Sequence, residues 1–393
     1  MFDVSAIQNA IRSQEIDGWL LSDFRGNNIL ARRILQFADH AMGSRRWMYF
    51  IPGTGQPKKL VHRIESAALD HLPGEKIVYL TWQSFEAGVA ELVRGLKTVA
   101  MEYSPRNGIP SLSRVDAGTV ELVMAGGVEV VPSGDLIQLF EAVWDDEQWA
   151  MHLAAGEHTD SAYAVAWKFI ADEVRTVGNT TEAAVRDVIM AHFAQHNLTT
   201  YHPPIVAVNQ NSGDPHYETG TARIRCGDFV LIDLWAKLDR PRAVYSDLTR
   251  TGYVGNLVPT KYATVFAIVA EARDAAIQLV RERFKQGQPL RGFEVDDACR
   301  KVIQGAGYGE FFIHRTGHSI GQEVHGNGAN MDNLETHETR RVFPGCCFSV
   351  EPGIYLPEFG IRSEVDVFVD RQCRIHVTAG QIPSAITPIL ADD

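Results

Sequence analysis

A run of apolar residues from Phe229 to Trp235 carries one carboxylate, Asp233, and a second strand-like run from Ala243 to Thr251 carries another, Asp247. A polar turn containing a proline, residues 238–242, lies between them, so the pair folds most simply as a β-hairpin. Centring the turn on Arg240 sets Asp233 directly opposite Asp247 on one face. Two carboxylates that close repel one another unless a proton or a cation lies between them. An isolated Asp in Ser246-Asp247 would more often mark a turn or an exposed edge, but the apolar neighbours on both strands argue against full exposure.

A second stretch has the same form. Cys347 to Glu351 and Arg362 to Val367 flank the turn 356–360, so Glu351 and Glu364 also pair across a hairpin. Between the two acidic hairpins lies the segment 314–326, with His314, His318 and His325. Histidines four apart could share a helix face, but Gly317, Gly321, Gly326 and Gly328 favour an extended or looped path. Any one of these histidines alone would read as a surface residue. Three of the fourteen in so short a segment, beside paired carboxylates, read as candidates for metal ligation.

Four carboxylates and one imidazole make a mostly hard oxygen site, which suits two divalent ions such as manganese, cobalt or zinc. A water held between ions ~3.5–4 Å apart becomes a nucleophile at neutral pH. No cysteine cluster suggests a structural zinc module: Cys226, Cys299, Cys346, Cys347 and Cys373 are scattered, odd in number and best read as free thiols of a reducing compartment.

The 393 residues are too many for one compact core, so two domains are expected. The first 135 or so alternate helix-like and strand-like segments: Asp17–Leu21, Trp47–Ile51, Lys76–Leu80 and Thr98–Met101 read as strands, and Ser84–Leu96 as a helix. From Leu136 to about Thr176 the pattern is helical, with the acidic run 145–147 suited to a helix's first turn. The domains are therefore expected at 1–145 and 146–393. Beyond the junction, helical segments at 180–195 and then at 260–284 and 295–303 each precede strand-like sequence, which suggests two α-then-β halves. A formal charge of -12 disfavours nucleic acid and anionic membranes as partners. The N-terminus lacks the pattern of a signal peptide, and no stretch approaches the ~20 apolar residues of a membrane span, so a cytoplasmic location is expected.

These motifs resemble those of the pita-bread metallopeptidases, in particular the Xaa-Pro dipeptidases (prolidases) and aminopeptidase P. The matching text is Ile232-Asp233, Tyr245-Ser246-Asp247-Leu248-Thr249-Arg250-Thr251, His314-Arg315-Thr316-Gly317-His318-Ser319-Ile320-Gly321, Glu323-Val324-His325, Val350-Glu351-Pro352-Gly353-Ile354-Tyr355 and Arg362-Ser363-Glu364. The resemblance covers roughly Leu136 to the C-terminus. It implies an N-terminal creatinase-like α/β domain followed by an α+β pita-bread catalytic domain.

Carried over residue by residue, the resemblance implies that Asp233 binds one metal ion, His318 and Glu351 bind the other, and Asp247 and Glu364 bridge them. Glu351 would also be the general base on the bridging water. His216 matches the family histidine near the substrate carbonyl, His325 the one that steadies the tetrahedral intermediate, and His314 a further pocket histidine. Arg362 resembles the arginine that orients the ligand cluster.

The chain departs from the family where prolidases commonly hold the proline carboxylate with an arginine. Residues 326–332 contain no cation there, and in 335–341 His337 occupies the expected position, with Arg340 and Arg341 close by. The resemblance thus implies a metalloexopeptidase acting on small peptides with proline after the scissile bond, as a homodimer. Aminopeptidase P is the alternative within the family. A metal-free creatinase-like or binding protein is the alternative from another class, and methionine aminopeptidase generally lacks an N-terminal domain of this size.

Overall fold

The computed structural model describes residues 2–38, 43–378 and 380–391. It divides into two compact units, Met1–Glu141 and Ala142–Asp393. This boundary precedes the expected 145/146 junction because the backbone N–H of Trp144 already donates to Gly345 O, at 2.8 Å, within the second unit.

The first unit is built on a six-stranded sheet. Its central strand, Gly18–Asp23, is buried throughout. Trp19 and Leu21 pack into one apolar cluster and Leu20 into another, the two-residue alternation of a strand covered on both faces. It runs antiparallel to Trp47–Pro52 and parallel to Thr98–Met101. Glu75–Tyr79 and the helix Trp82–Leu92 also lie close to where the sequence placed a strand and a helix. Two strands, Lys58–His62 and Glu129–Pro132, escaped sequence reading. In the first of these, Lys59 is buried, with Nζ donating to the carbonyls of Leu69 and Leu72. A lysine satisfied this way by distant backbone looks, in sequence, like part of a polar turn.

The second unit begins with the long helix Asp146–Thr176. Asp145 caps it: its carboxylate accepts from the Gln148 N–H at 2.9 Å, and the Gln148 side chain accepts from the Asp145 N–H. With Glu182–Gln195 it covers one face of the strands Phe229–Leu238 and Ser246–Tyr253, burying Val230, Ile232, Leu234 and Leu248. Helices Thr260–Lys285 and Gly292–Gly305 pack in turn on Phe348, Val350, Val365 and Val367 of the strands Cys347–Val350 and Val365–Val369. Asp233 and Asp247 therefore lie on the face of their strands turned away from the first helix pair, and Glu364 and Asp366 fall out of phase with the valines that pack on the second. No helix among the described residues is long and apolar enough to cross a membrane.

The first hairpin's register differs from the sequence expectation. Trp235 pairs with Asp247 and Asp233 with Thr249, so the turn centres on Pro241 rather than Arg240. Asp233 and Asp247 share a face as diagonal neighbours and are not directly opposed. The second hairpin keeps one register throughout: Val350 pairs with Val365 and Gly353 with Arg362, which leaves Glu351 and Glu364 opposite each other in the gap between the two ladders.

Candidate metal centre

Three side chains on three different segments converge closely. Donor atoms of Asp247, His318 and Glu364, all buried, lie within 4.8 Å of one another. His318 Nε2 is 3.4 Å from Asp247 Oδ2 and 3.4 Å from Glu351 Oε1. Asp233 enters from the diagonal position and is paired through Oδ2 with Arg362 Nη2. The five candidate ligands line one cavity of about 360 Å³, and His216, His314, His325 and Arg362 line it too.

His318 is delivered by an extended backbone, not a helix. Ser319–Ile320 pairs antiparallel with Cys347–Phe348, the Ser349 N–H donates to His318 O at 2.9 Å, and the Glu351 N–H donates to Thr316 O at 2.7 Å. These bonds set His318 beside Glu351. They also require glycine at 317, where a Cβ would stand 1.9 Å from Ser349 O. The Ser349 hydroxyl accepts from the His318 N–H and donates to Glu351 Oε1, both at 3.0 Å, and so orients a ligand from each strand.

The two hairpins are joined across the cavity floor. Thr249 Oγ1 donates to Glu364 Oε2 at 2.7 Å and accepts from Arg362 Nε at 3.0 Å. The Asp247 N–H donates to Asp366 Oδ2 at 3.0 Å. Arg362 Nη1 donates to the Tyr355 hydroxyl, which donates in turn to His314 Nε2 at 2.7 Å, while His314 Nδ1 donates to Arg315 O. Both nitrogens of His314 are thus engaged. Burial and the nearby Arg362 lower its pKa to about 3, which keeps the ring neutral as this pattern requires.

The electrostatics are those of an acidic cluster short of positive charge. Burial raises the Asp247 carboxyl well above its ordinary range, and the charges of Glu364 and Asp233 add to this. Glu364 is raised well above its range by burial and by Glu351. Glu351 is pushed up to about 7 by burial, against the pull of Arg362, and burial outweighs Arg362 at Asp233 as well. His318 lies well below its ordinary value through burial and the neighbouring His325. A cation would relieve the upward shifts of all four carboxyls, and the neutral imidazole of His318 is in the state that can ligate it. Asp233 Oδ1, in the cavity lining, is among the buried oxygens with no hydrogen-bond partner in the described residues. The orphaned oxygen, the oxygen-rich donors and the neutral imidazole fit divalent ions.

His216 and His325 stand at the cavity's open side, both exposed, with the His325 ring 4.3 Å from that of His318 and nearly perpendicular to it. Desolvation by the cavity wall, then the charges of Arg315 and His216, lower His325 to about 4. His337 is exposed, bonded to Asn333 and absent from the cavity lining, so it is not the stand-in for a pocket arginine. Arg340 is buried and bonded to Glu338 and Asn327 O.

Sequence reading missed Thr249, Ser349, Tyr355 and Asp366, which hold the candidate ligands in place. The available signal was the two-residue spacing of Thr249 from Asp247 and of Asp366 from Glu364 on shared strand faces. It also missed Arg315 and the wall formed by Tyr201, His202 and Trp235, which nothing local distinguishes.

Comparison with known proteins places this geometry. A putative dipeptidase YkvY of Bacillus subtilis is 34% identical over 175 residues, covering 44% of this chain and 44% of that relative. An Xaa-Pro dipeptidase of Lactobacillus delbrueckii subsp. lactis is 34% identical over 215 residues, covering 53% and 52%. The chain spans about half the length of these curated relatives. The fold is shared with dipeptidase PepE from Mycobacterium ulcerans at a TM-score of 0.69 and 24% identity, covering 98% of this chain and 96% of that one. Residues 150–371, which contain every candidate ligand, match the model of metallopeptidase family M24. With more than half of its length inside that match, the chain belongs to metallopeptidase family M24.

Proposed function

We propose that this protein is an exopeptidase using two divalent ions to hydrolyse Xaa-Pro bonds, most readily in dipeptides. The observation that carries the proposal is the convergence of Asp247, His318 and Glu364 within one cavity that also takes in Asp233 and Glu351. Asp233 would hold one ion, His318 and Glu351 the other, and Asp247 and Glu364 both; manganese, zinc and cobalt all suit such donors. When bound, the ions supply the positive charge that acidifies a water and polarises a carbonyl.

The chain's own residues do the rest. Glu351, oriented by the Ser349 hydroxyl, takes the proton of the attacking water and returns it to the departing proline nitrogen. His216 and His325 reach the scissile carbonyl from the open side. Arg362 fixes Asp233 and Glu351, and His314, bonded through Tyr355 to Arg362, keeps that arginine in place. The relatives named for dipeptidase and Xaa-Pro dipeptidase activity support the substrate class. A homodimer belongs to the same proposal, tested by light scattering, as does a cytoplasmic location, supported by cysteines that form no disulfide among the described residues.

The test is turnover of Leu-Pro and Leu-Pro-Pro by manganese-loaded protein, before and after chelation. Faster cleavage of the tripeptide would make the protein an aminopeptidase P. Fewer than one divalent ion per chain with chelator-insensitive activity would make it a metal-free member.

A further inference from the structure

The cavity wall carries two guanidinium groups, and they differ in what they hold. Arg362 is buried and committed to Asp233, Thr249 and Tyr355, with Glu351 Oε2 at 3.9 Å. Arg315 is half-buried in the same wall, and among the described residues its guanidinium makes no hydrogen bond or close ion pair, its charge acting on the Glu351 carboxyl only at longer range. Only its backbone is engaged: the N–H donates to Glu335 Oε1 at 3.3 Å and the carbonyl accepts from His314 Nδ1 at 2.6 Å. Through His314 and Tyr355 that backbone is tied to Arg362, so the free guanidinium stands on a fixed base.

A planar cation left unpaired in a partly desolvated wall is matched by an anion that arrives with the ligand, and a carboxylate fits its fork with two parallel bonds. Glu335 lines the same cavity yet bonds the Arg315 backbone rather than its head group. The positions where a carboxylate-binding arginine was expected do not reach the cavity: His337 and Arg341 are outside its lining, and Arg340 is taken by Glu338. A cavity of about 360 Å³ accommodates a peptide of dipeptide size. The floor is taken by the four acidic ligands and the ions they would hold, so the far end of the substrate, with its carboxylate, falls to the wall.

We propose that Arg315 receives the free α-carboxylate of the substrate and thereby restricts cleavage to peptides in which the residue after the scissile bond is the last. The assignment rests on the exopeptidase function proposed above and adds its length rule: a longer peptide presents a neutral amide where the carboxylate would be and forfeits the charge-assisted pair.

The experiment compares Leu-Pro with Leu-Pro-amide, and Leu-Ala with Leu-Ala-amide, in the parent, Arg315→Ala and Arg315→Lys proteins, all metal-loaded. The parent is expected to prefer each free acid. Arg315→Ala should lower kcat/KM for the acids by roughly 30-fold, carried by KM, and leave the amides unchanged. Arg315→Lys should recover part of the difference, and it carries the test if the alanine variant does not fold. Equal losses on acid and amide, or a parent indifferent to amidation, would overturn the assignment. Turnover of Leu-Ala but not Leu-Pro, with the acid preference still dependent on Arg315, would remove the proline specificity and leave Arg315 in its role. Failure to cleave any of these peptides would remove both.

Discussion

Thr249 Oγ1 donates to Glu364 Oε2 at 2.7 Å, so a hydroxyl from the first acidic hairpin holds a carboxylate of the second. The same oxygen accepts from Arg362 Nε, making Thr249 the pin between the two halves of the site. Thr249→Val keeps the shape and removes the pin. Metal affinity or kcat/KM should fall roughly 10- to 100-fold, with the fold retained by circular dichroism. Metal titration that gives the parent's affinity, together with parent activity, would show that Thr249 holds nothing of consequence.

Metal content should track the converging donors. His318→Ala and Glu364→Gln are each expected to reduce tightly bound divalent ion, measured by elemental analysis after dialysis, and to lower peptide turnover roughly 10³-fold. His314→Gln, which changes a ring bonded to Tyr355 and Arg315, should retain the parent's metal content. Full metal occupancy in both ligand variants would place the ions elsewhere.

Proton linkage gives the metal-stripped protein a characteristic pH dependence. Glu351 has a pKa of about 7 in the fold against an ordinary 4.5, so between those values the folded chain keeps a proton that the unfolded chain releases. Its contribution to stability is complete below about 4.5 and is lost as pH rises through about 7. Asp233, Asp247 and Glu364 are shifted in the same direction. The melting temperature of stripped protein, relative to that of Glu351→Gln, should therefore fall between about pH 5 and pH 7.5. Added manganese should reverse the fall, because it binds the deprotonated site. A relative melting temperature that climbs across this range would contradict the burial argument.

Gly317→Ala should destabilise by about 3 kcal/mol through overpacking. The added methyl meets Ser349 O at 1.9 Å, and neither strand can retreat without breaking the backbone bonds between 316–318 and 349–351. Denaturant unfolding measures this, and a change under 1 kcal/mol would mean that the segment is slack.

What the sequence determined by itself was pattern. Apolar runs identified most of the strands, the acidic run 145–147 marked a helix's first turn, and acidic residues within apolar strands marked where carboxylates had to be buried together. Those signals are local, so they survive without coordinates. The tertiary structure decided what depends on distance across the chain. A turn centred on Pro241 rather than Arg240 made Asp233 and Asp247 diagonal neighbours, a shift invisible to period-two reading because both registers leave the two carboxylates on one face. Packing of the two hairpins against each other selected Thr249, Tyr355 and Asp366 as supports, although each is unremarkable in its own strand. Which arginine remains open to a ligand likewise depends on partners: Arg362 is occupied by Asp233 from the other hairpin and Arg340 by its near neighbour Glu338, while the Arg315 head group bonds neither carboxylate.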